Sequence, residues 1–149
     1  MKIFLLTYAL LSICVQNLLA QDMPVKYQDV SQEKMREQNM EIATLAAKEI
    51  SKNLPAKIDK YTTLQSIKNN NATLVYRFFI NDEKKSDREI REQDHSRMQK
   101  AITSGLCQSS KRFLQAGINI SYLYISAKSK KLLFRFDVTK DKCNYPAIR

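Results

Sequence analysis

Apolar residues follow three different patterns along this chain, and each pattern predicts a different kind of element. Residues 3–13 (IFLLTYALLSI) form a nearly unbroken apolar run behind Lys2. Eleven residues are too few to span a bilayer. With Leu18-Leu19-Ala20 before Gln21, residues 1–20 read as an export signal cleaved after Ala20. Residues 21–30, with Pro24 and few apolar anchors, read as a linker into a single domain over residues 31–149.

The second pattern has helical period. Met35, Ile42, Leu45, Ala46 and Ile50 recur at helical spacing and predict a helix from about Ser31 to Asn53 with that stripe turned to the core. Asp29 and Gln32 stand three apart, as a capping box requires. Pro55 stops the helix, because the residue before a proline avoids helical geometry. A second helix is predicted from Asp87 to Ser104, with Ile90, Met98, Ala101 and Ile102 inward and Gly105 as its C-terminal cap. A short third helix runs from Ser110 to Ala116, with Phe113 and Leu114 inward and Gly117 closing it.

The third pattern alternates. Tyr61 to Lys68 reads as a strand, followed by a turn at Asn69-Asn70-Asn71. Leu74, Tyr76, Phe78 and Ile80 alternate with Thr73, Val75, Arg77 and Phe79, and apolar content on both faces points to a central strand. Ile118, Ile120, Tyr122 and Tyr124, then Leu132, Phe134, Phe136 and Val138, form the arms of a hairpin. Helix, two strands, two helices and two strands make an α+β fold, an antiparallel sheet with flanking helices.

Charge changes this picture in one place. The net charge is +10, but residues 111–149 hold nine basic and two acidic side chains, a local +7. Lys128, Lys130 and Lys131 sit at the predicted hairpin tip. They read either as a contact for an anionic membrane or cell surface or as protection of an exposed sheet edge. Nucleic acid is a poor partner, since an exported chain does not meet it and no stacking aromatics interleave with the lysines.

The remaining composition excludes several chemistries. Two glycines, Gly105 and Gly117, cannot build a phosphate-cradling loop or a dinucleotide fingerprint. His95 is the single histidine, and no motif brings it a nucleophile or carboxylate. Glu89 and Glu92, three apart on a polar helix, read as a solvated face rather than an acid–base pair. Cys107 and Cys143 lack the paired spacing of a zinc site. No catalytic residue, metal or cofactor is therefore assigned. Asn71-Ala72-Thr73 and Asn119-Ile120-Ser121 match the glycosylation tripeptide, a pattern common by chance.

Cysteine usage follows export. Cys14 is discarded with the signal or becomes a lipid-bearing first residue, as in bacterial lipoproteins. Ile13 before it is bulkier than the small residue a lipoprotein signal carries there. Cys107 and Cys143 are then expected to pair in an oxidising compartment, the alternative being two buried free thiols. Closing a loop of about 36 residues contributes roughly 4 kcal/mol by chain entropy.

Three stretches resemble a known family. The runs AAKEISKNLPAKIDKYTTL, LCQSSKRFLQAGINISYLYI and LLFRFDVTKDKC are similar to the pilotin domain of bacterial type II secretion systems, in its alternative α/β form. The motifs are Leu54-Pro55, Thr62-Thr63, Cys107, Gly117 and Cys143, and the likeness covers roughly residues 44–143. The resemblance implies a four- to five-stranded sheet with flanking helices and one disulfide, Cys107 to Cys143. It also implies a role without catalysis: binding the C-terminal helix of a secretin and escorting that subunit to the outer membrane. Escort depends on a lipid anchor, and here the chain departs from the family at Ile13-Cys14. The competing expectation is a soluble periplasmic inhibitor or a binder of an anionic cell-surface ligand.

Overall fold

The computed structural model describes residues 31–145. The proposed signal, the linker, Cys14 and Asp29 lie outside the described residues. Helix α1 spans Gln32–Ile50 and ends in a 3-10 turn, Ser51–Asn53. Strands β1 (Ala56–Lys57), β2 (Thr62–Asn69) and β3 (Thr73–Ile80) follow, then helices α2 (Asp87–Ser109) and α3 (Lys111–Ala116). Strands β4 (Asn119–Ser126) and β5 (Leu132–Val138) lead to a last 3-10 turn, Lys140–Lys142.

The five strands form one sheet in the order β1-β2-β3-β4-β5. Three of the four pairings are antiparallel, and β3 with β4 is parallel. The wholly antiparallel expectation is corrected at that pair. A parallel neighbour needs a long crossover, and α2 and α3 supply it. The two-residue β1 gave no alternating signal in the sequence.

Cross-strand rows explain the core. Leu74, Ile120 and Val138 stand side by side on β3, β4 and β5 and are essentially without exposure. Tyr76, Tyr122 and Phe136 form the next row, then Phe78, Tyr124 and Phe134. Aromatic neighbours across strands are favourable sheet pairs, and the Phe78 and Tyr124 rings stack at 4.7 Å. Ala43, Ala47, Ile90, Leu106 and Leu114 from the helices join the same core.

Local chemistry moves several boundaries. Ser31, rather than Asp29, caps α1, its hydroxyl accepting the Lys34 backbone N–H at 3.4 Å. The turn before β3 is centred one residue later than expected, on Asn71 and Ala72, both at positive φ. Gly117 does end α3 in the left-handed region, at φ 91°. Gly105 caps nothing: α2 runs through it to Ser109. In α2, Ile90 and Leu106 are buried while Ala101 is exposed. In β5 a register shift places Leu133 in the core and leaves Leu132 exposed, reversing the simple alternation there.

Candidate functional site: an uncovered apolar face on α1

The apolar stripe expected to seat α1 in the core faces solvent instead. Met35 is 47%, Ile42 46% and Leu45 59% exposed, whereas Ala43 is 0% and Ala47 6% exposed. A helix advances about 100° per residue, so Ile42 lies roughly a quarter turn from the buried Ala43.

Hydrogen bonds set that rotation. Asn39 Nδ2 donates to the Ala116 carbonyl at 2.6 Å, tying α1 to the end of α3. Asn69 Nδ2 on β2 donates to the Met40 carbonyl at 3.0 Å and to Thr44 Oγ1 at 2.9 Å. Ser51 Oγ donates to the Ile67 carbonyl at 3.3 Å. Asn39, Ala43, Ala47 and Ser51 are spaced by four and share one side of the helix. Alanine at the two central positions lets the helix lie close on the sheet. Turning Leu45 inward would break these bonds and put a larger side chain where a methyl fits.

The exposed stripe continues into a groove of about 540 Å³ between α1 and α3, lined by Ile42, Leu45, Ala46 and Phe113, with Lys48 and Lys52 at its edge. Lys52 meets Glu49 at 2.6 Å, with both side chains exposed. Phe113 is half-buried at the groove floor. It reaches that place because Gly117 lets the chain turn back directly after α3: Gly117 N–H bonds the Leu114 carbonyl and Ile118 N–H that of Phe113. The surface is apolar in the middle and charged at the rim, the arrangement that receives an amphipathic helix.

Other residues singled out from the sequence fall elsewhere. Cys107 and Cys143 are bonded, with Cα atoms 5.5 Å apart. Tyr145 O–H donates to the Cys107 carbonyl at 2.7 Å and fastens the same corner. Lys128, Lys130 and Lys131 lie at the β4–β5 turn but do not act together. Lys128 Nζ donates to the Asp82 carbonyl at 2.8 Å. Lys130 sits 5.1 Å above the Phe79 ring, and Lys131 is exposed. Beside them Ser129 Oγ donates to the Asp87 carboxylate. That bond, with a second from Ser126, holds the Asp87 carboxyl below its usual range.

His95 packs its ring against Phe134 and Phe136, with centroids 5.8 and 5.5 Å away. Glu89 completes the capping box of α2: its carboxylate accepts from the Ser86 N–H at 2.8 Å and hydroxyl at 2.6 Å. The Ser86 hydroxyl bond, followed by the backbone bond, holds its carboxyl below the usual range. Burial raises the Tyr122 phenol to about 12, aided by Tyr76. Tyr76 is raised by burial as well, so both are neutral packing groups at physiological pH. No group of three or more metal-ligating side chains occurs among the described residues. No helix among them is long and apolar enough to cross a membrane.

Reading α1 by hydropathy alone missed the site. The signal that could have found it is the Asn39–Ala43–Ala47–Ser51 series, which marks a close-packed polar and small face beside the apolar one.

The comparisons with known proteins fit this architecture. The family described as "Domain of unknown function (DUF8479)" matches residues 37–134. No curated protein matches. Among solved structures, a protein of Pseudomonas aeruginosa described as a "putative secreted protein" superposes with a TM-score of 0.66 at 13% identity, over 74% of this chain and 96% of its own. The pilotin of the Vibrio vulnificus type 2 secretion system gives 0.60 at 15% identity, over 76% and 99%. The type II secretion system pilotin of Vibrio cholerae gives 0.55 at 15% identity, over 74% and 97%. The chain has the fold of these pilotins.

Proposed function

The chain belongs to the family described as "Domain of unknown function (DUF8479)", and we propose that it is an exported, non-catalytic domain that binds another protein through the uncovered face of α1. The observation that carries this reading is the exposure of Met35, Ile42 and Leu45 beside the groove at Phe113. Fully burying an apolar side chain of this size contributes roughly 1.5–3 kcal/mol. Met35, Ile42 and Leu45 are each about half exposed, so about half of that per residue remains as driving force for association. An amphipathic helix fits, because apolar residues one turn apart on the partner would meet Ile42 and Leu45 in succession while its polar flank meets Lys48, Glu49 and Lys52.

Within that reading the partner is the C-terminal helix of a secretin and the task is pilotin-like escort. The pilotin fold and the Cys107–Cys143 disulfide support it. Escort to the outer membrane further requires acylation of Cys14. Mass spectrometry of the mature N-terminus decides that step: an acylated Cys14 supports it and a free Gln21 removes it, leaving a soluble periplasmic binder.

The main test is titration of a synthetic secretin C-terminal peptide into the wild-type protein and the Leu45→Glu variant. Micromolar binding to the wild type, lost in Leu45→Glu with an unchanged thermal midpoint, is expected. Absence of binding by the wild type at micromolar concentration overturns the secretin partner. Equal binding by both proteins overturns the α1 face as its site.

A further inference from the structure

A cleft of about 820 Å³ runs along α2 where that helix meets Tyr145 and the Lys140–Lys142 turn. It adjoins a smaller cavity of about 390 Å³, with which it shares Gln99, Thr103 and Lys142. Neither cavity includes any residue of the α1 groove.

The lining is unusual in its charge. Lys100, Lys111 and Lys142 face the larger cavity, and none of the described residues that line it is acidic. Arg135 and Asp137 line the smaller one. That single carboxylate is already engaged, accepting from Arg135 Nε at 2.8 Å and from Ser121 Oγ at 2.7 Å. Burial works to raise the Asp137 carboxyl, but these bonds outweigh it and hold it below its usual range, so it stays ionised and paired.

The second feature is a set of idle polar groups. Ser96, Gln99, Thr103, Gln108 and Asn144 line the cleft. Among the described residues none of them commits its side chain to a hydrogen bond. Amides and hydroxyls both donate and accept, which is what the hydroxyls of a sugar require. Ammonium groups are compact charges suited to dispersed carboxylates, sulfates or phosphates. The wall is held in place by the Cys107–Cys143 bond and by Tyr145, whose ring lies 5.7 Å from Lys111 Nζ.

We propose that this cleft binds an anionic saccharide, with Lys100, Lys111 and Lys142 facing its acidic groups and Gln99, Thr103 and Gln108 its hydroxyls. A bare polyanion would use the lysines and the amide N–H and hydroxyl donors but leave the amide carbonyl acceptors idle, whereas sugar hydroxyls engage both. A neutral sugar would leave the Lys100 and Lys111 ammonium groups without a counter-charge, while Lys142 Nζ already donates to the Asp137 carbonyl at 2.5 Å, close to that residue's carboxylate. Fixed positive charge in a concave wall also draws an anion in from solution, an effect that weakens as salt rises.

The test is calorimetric titration with tetragalacturonate, using tripolyphosphate as the hydroxyl-free polyanion. The variants are Lys100→Gln/Lys111→Gln in the cleft and Lys130→Gln/Lys131→Gln at the β4–β5 turn, which remove the same charge. The cleft pair is expected to weaken uronate binding by about tenfold or more, and the turn pair by less than about twofold. The single variant Gln108→Leu, on an exposed position of α2, should also weaken uronate binding, and by more than it weakens tripolyphosphate binding, because tripolyphosphate can use only the amide donor. It serves if the cleft pair does not fold. Equal losses from the two lysine pairs, or no uronate binding at millimolar concentration, overturn the site. Tripolyphosphate binding as tight as uronate binding, or an unaltered Gln108→Leu, overturns the saccharide.

Discussion

Helices α1 and α2 lie on the same face of the sheet and solve the packing problem in opposite ways. α1 is rich in apolar side chains yet buries only two alanines fully, leaving Met35, Ile42 and Leu45 outside. α2 is long and polar, and buries just Ile90 near its start and Leu106 near its end. What α2 lacks in burial it recovers at its ends. The Ser86–Glu89 capping box closes one, and the Cys107–Cys143 bond fastens the other to the last turn of the chain. α1 is held by close approach and by Asn39, Asn69 and Ser51. A helix secured by caps and a covalent bond can afford a polar surface. A helix seated on alanines has its larger apolar residues left over for a partner.

The largest expected effect falls on the α2 end. Cys143→Ser frees a loop of 36 residues, and the chain-entropy model puts the loss at roughly 4 kcal/mol. Tyr145 and the Lys140–Lys142 turn should loosen with it, since they reach α2 through the same corner. Denaturant unfolding, with thiol titration to establish the redox state, reads the change. A midpoint equal to that of the wild type would mean that α2 does not depend on its covalent tie, and the contrast between the helices would collapse.

The next effect falls on α1. Ala43→Leu places a larger side chain at a position with no exposure, and overpacking of this kind costs about 1–3 kcal/mol. Hydropathy alone would call this substitution favourable, because it enriches the helix in leucine. An increase in the thermal midpoint would show that α1 can rotate and bury its stripe, against the seating by alanines.

The same two helices show where the sequence could be read and where it could not. The strand alternation at Leu74 to Ile80 and Ile118 to Tyr124 was legible because a strand buries alternate residues whatever its neighbours are. It did not tell whether β3 and β4 run parallel, since pairing is a long-range property fixed by the α2–α3 crossover. The cysteine pair was legible from the expected export and the cysteine count, and the pilotin fold from three short stretches. The rotation of α1 was hidden, because its anchors are an asparagine, a serine and two alanines, which carry little hydropathic weight. Burial and hydrogen bonding compete for the same helix face, and there hydrogen bonding with close approach wins. The sugar cleft was hidden for a related reason: its lysines come from α2, α3 and the C-terminal turn, far apart in the chain.

Gly105 offers the smallest effect and the finest distinction. The reading of Gly105 as a helix cap rested on glycine's freedom to adopt positive φ. In the fold it sits inside α2, and a Cβ placed there meets nothing within 4 Å. Gly105→Ala should therefore raise stability by about 0.5–1 kcal/mol, through helix propensity and the reduced freedom of the unfolded chain. The sign is the informative part. At a left-handed cap the same change strains the backbone and lowers stability, as it should at Gly117, where φ is 91°. A urea midpoint that rises for Gly105→Ala identifies an uninterrupted α2 reaching as far as its disulfide. A midpoint that falls means that the helix ends there, and that Leu106 and Cys107 hang from a turn instead. The end-fastened helix on which the comparison rests would then be shorter than described, and Cys107 would no longer tie α2 itself.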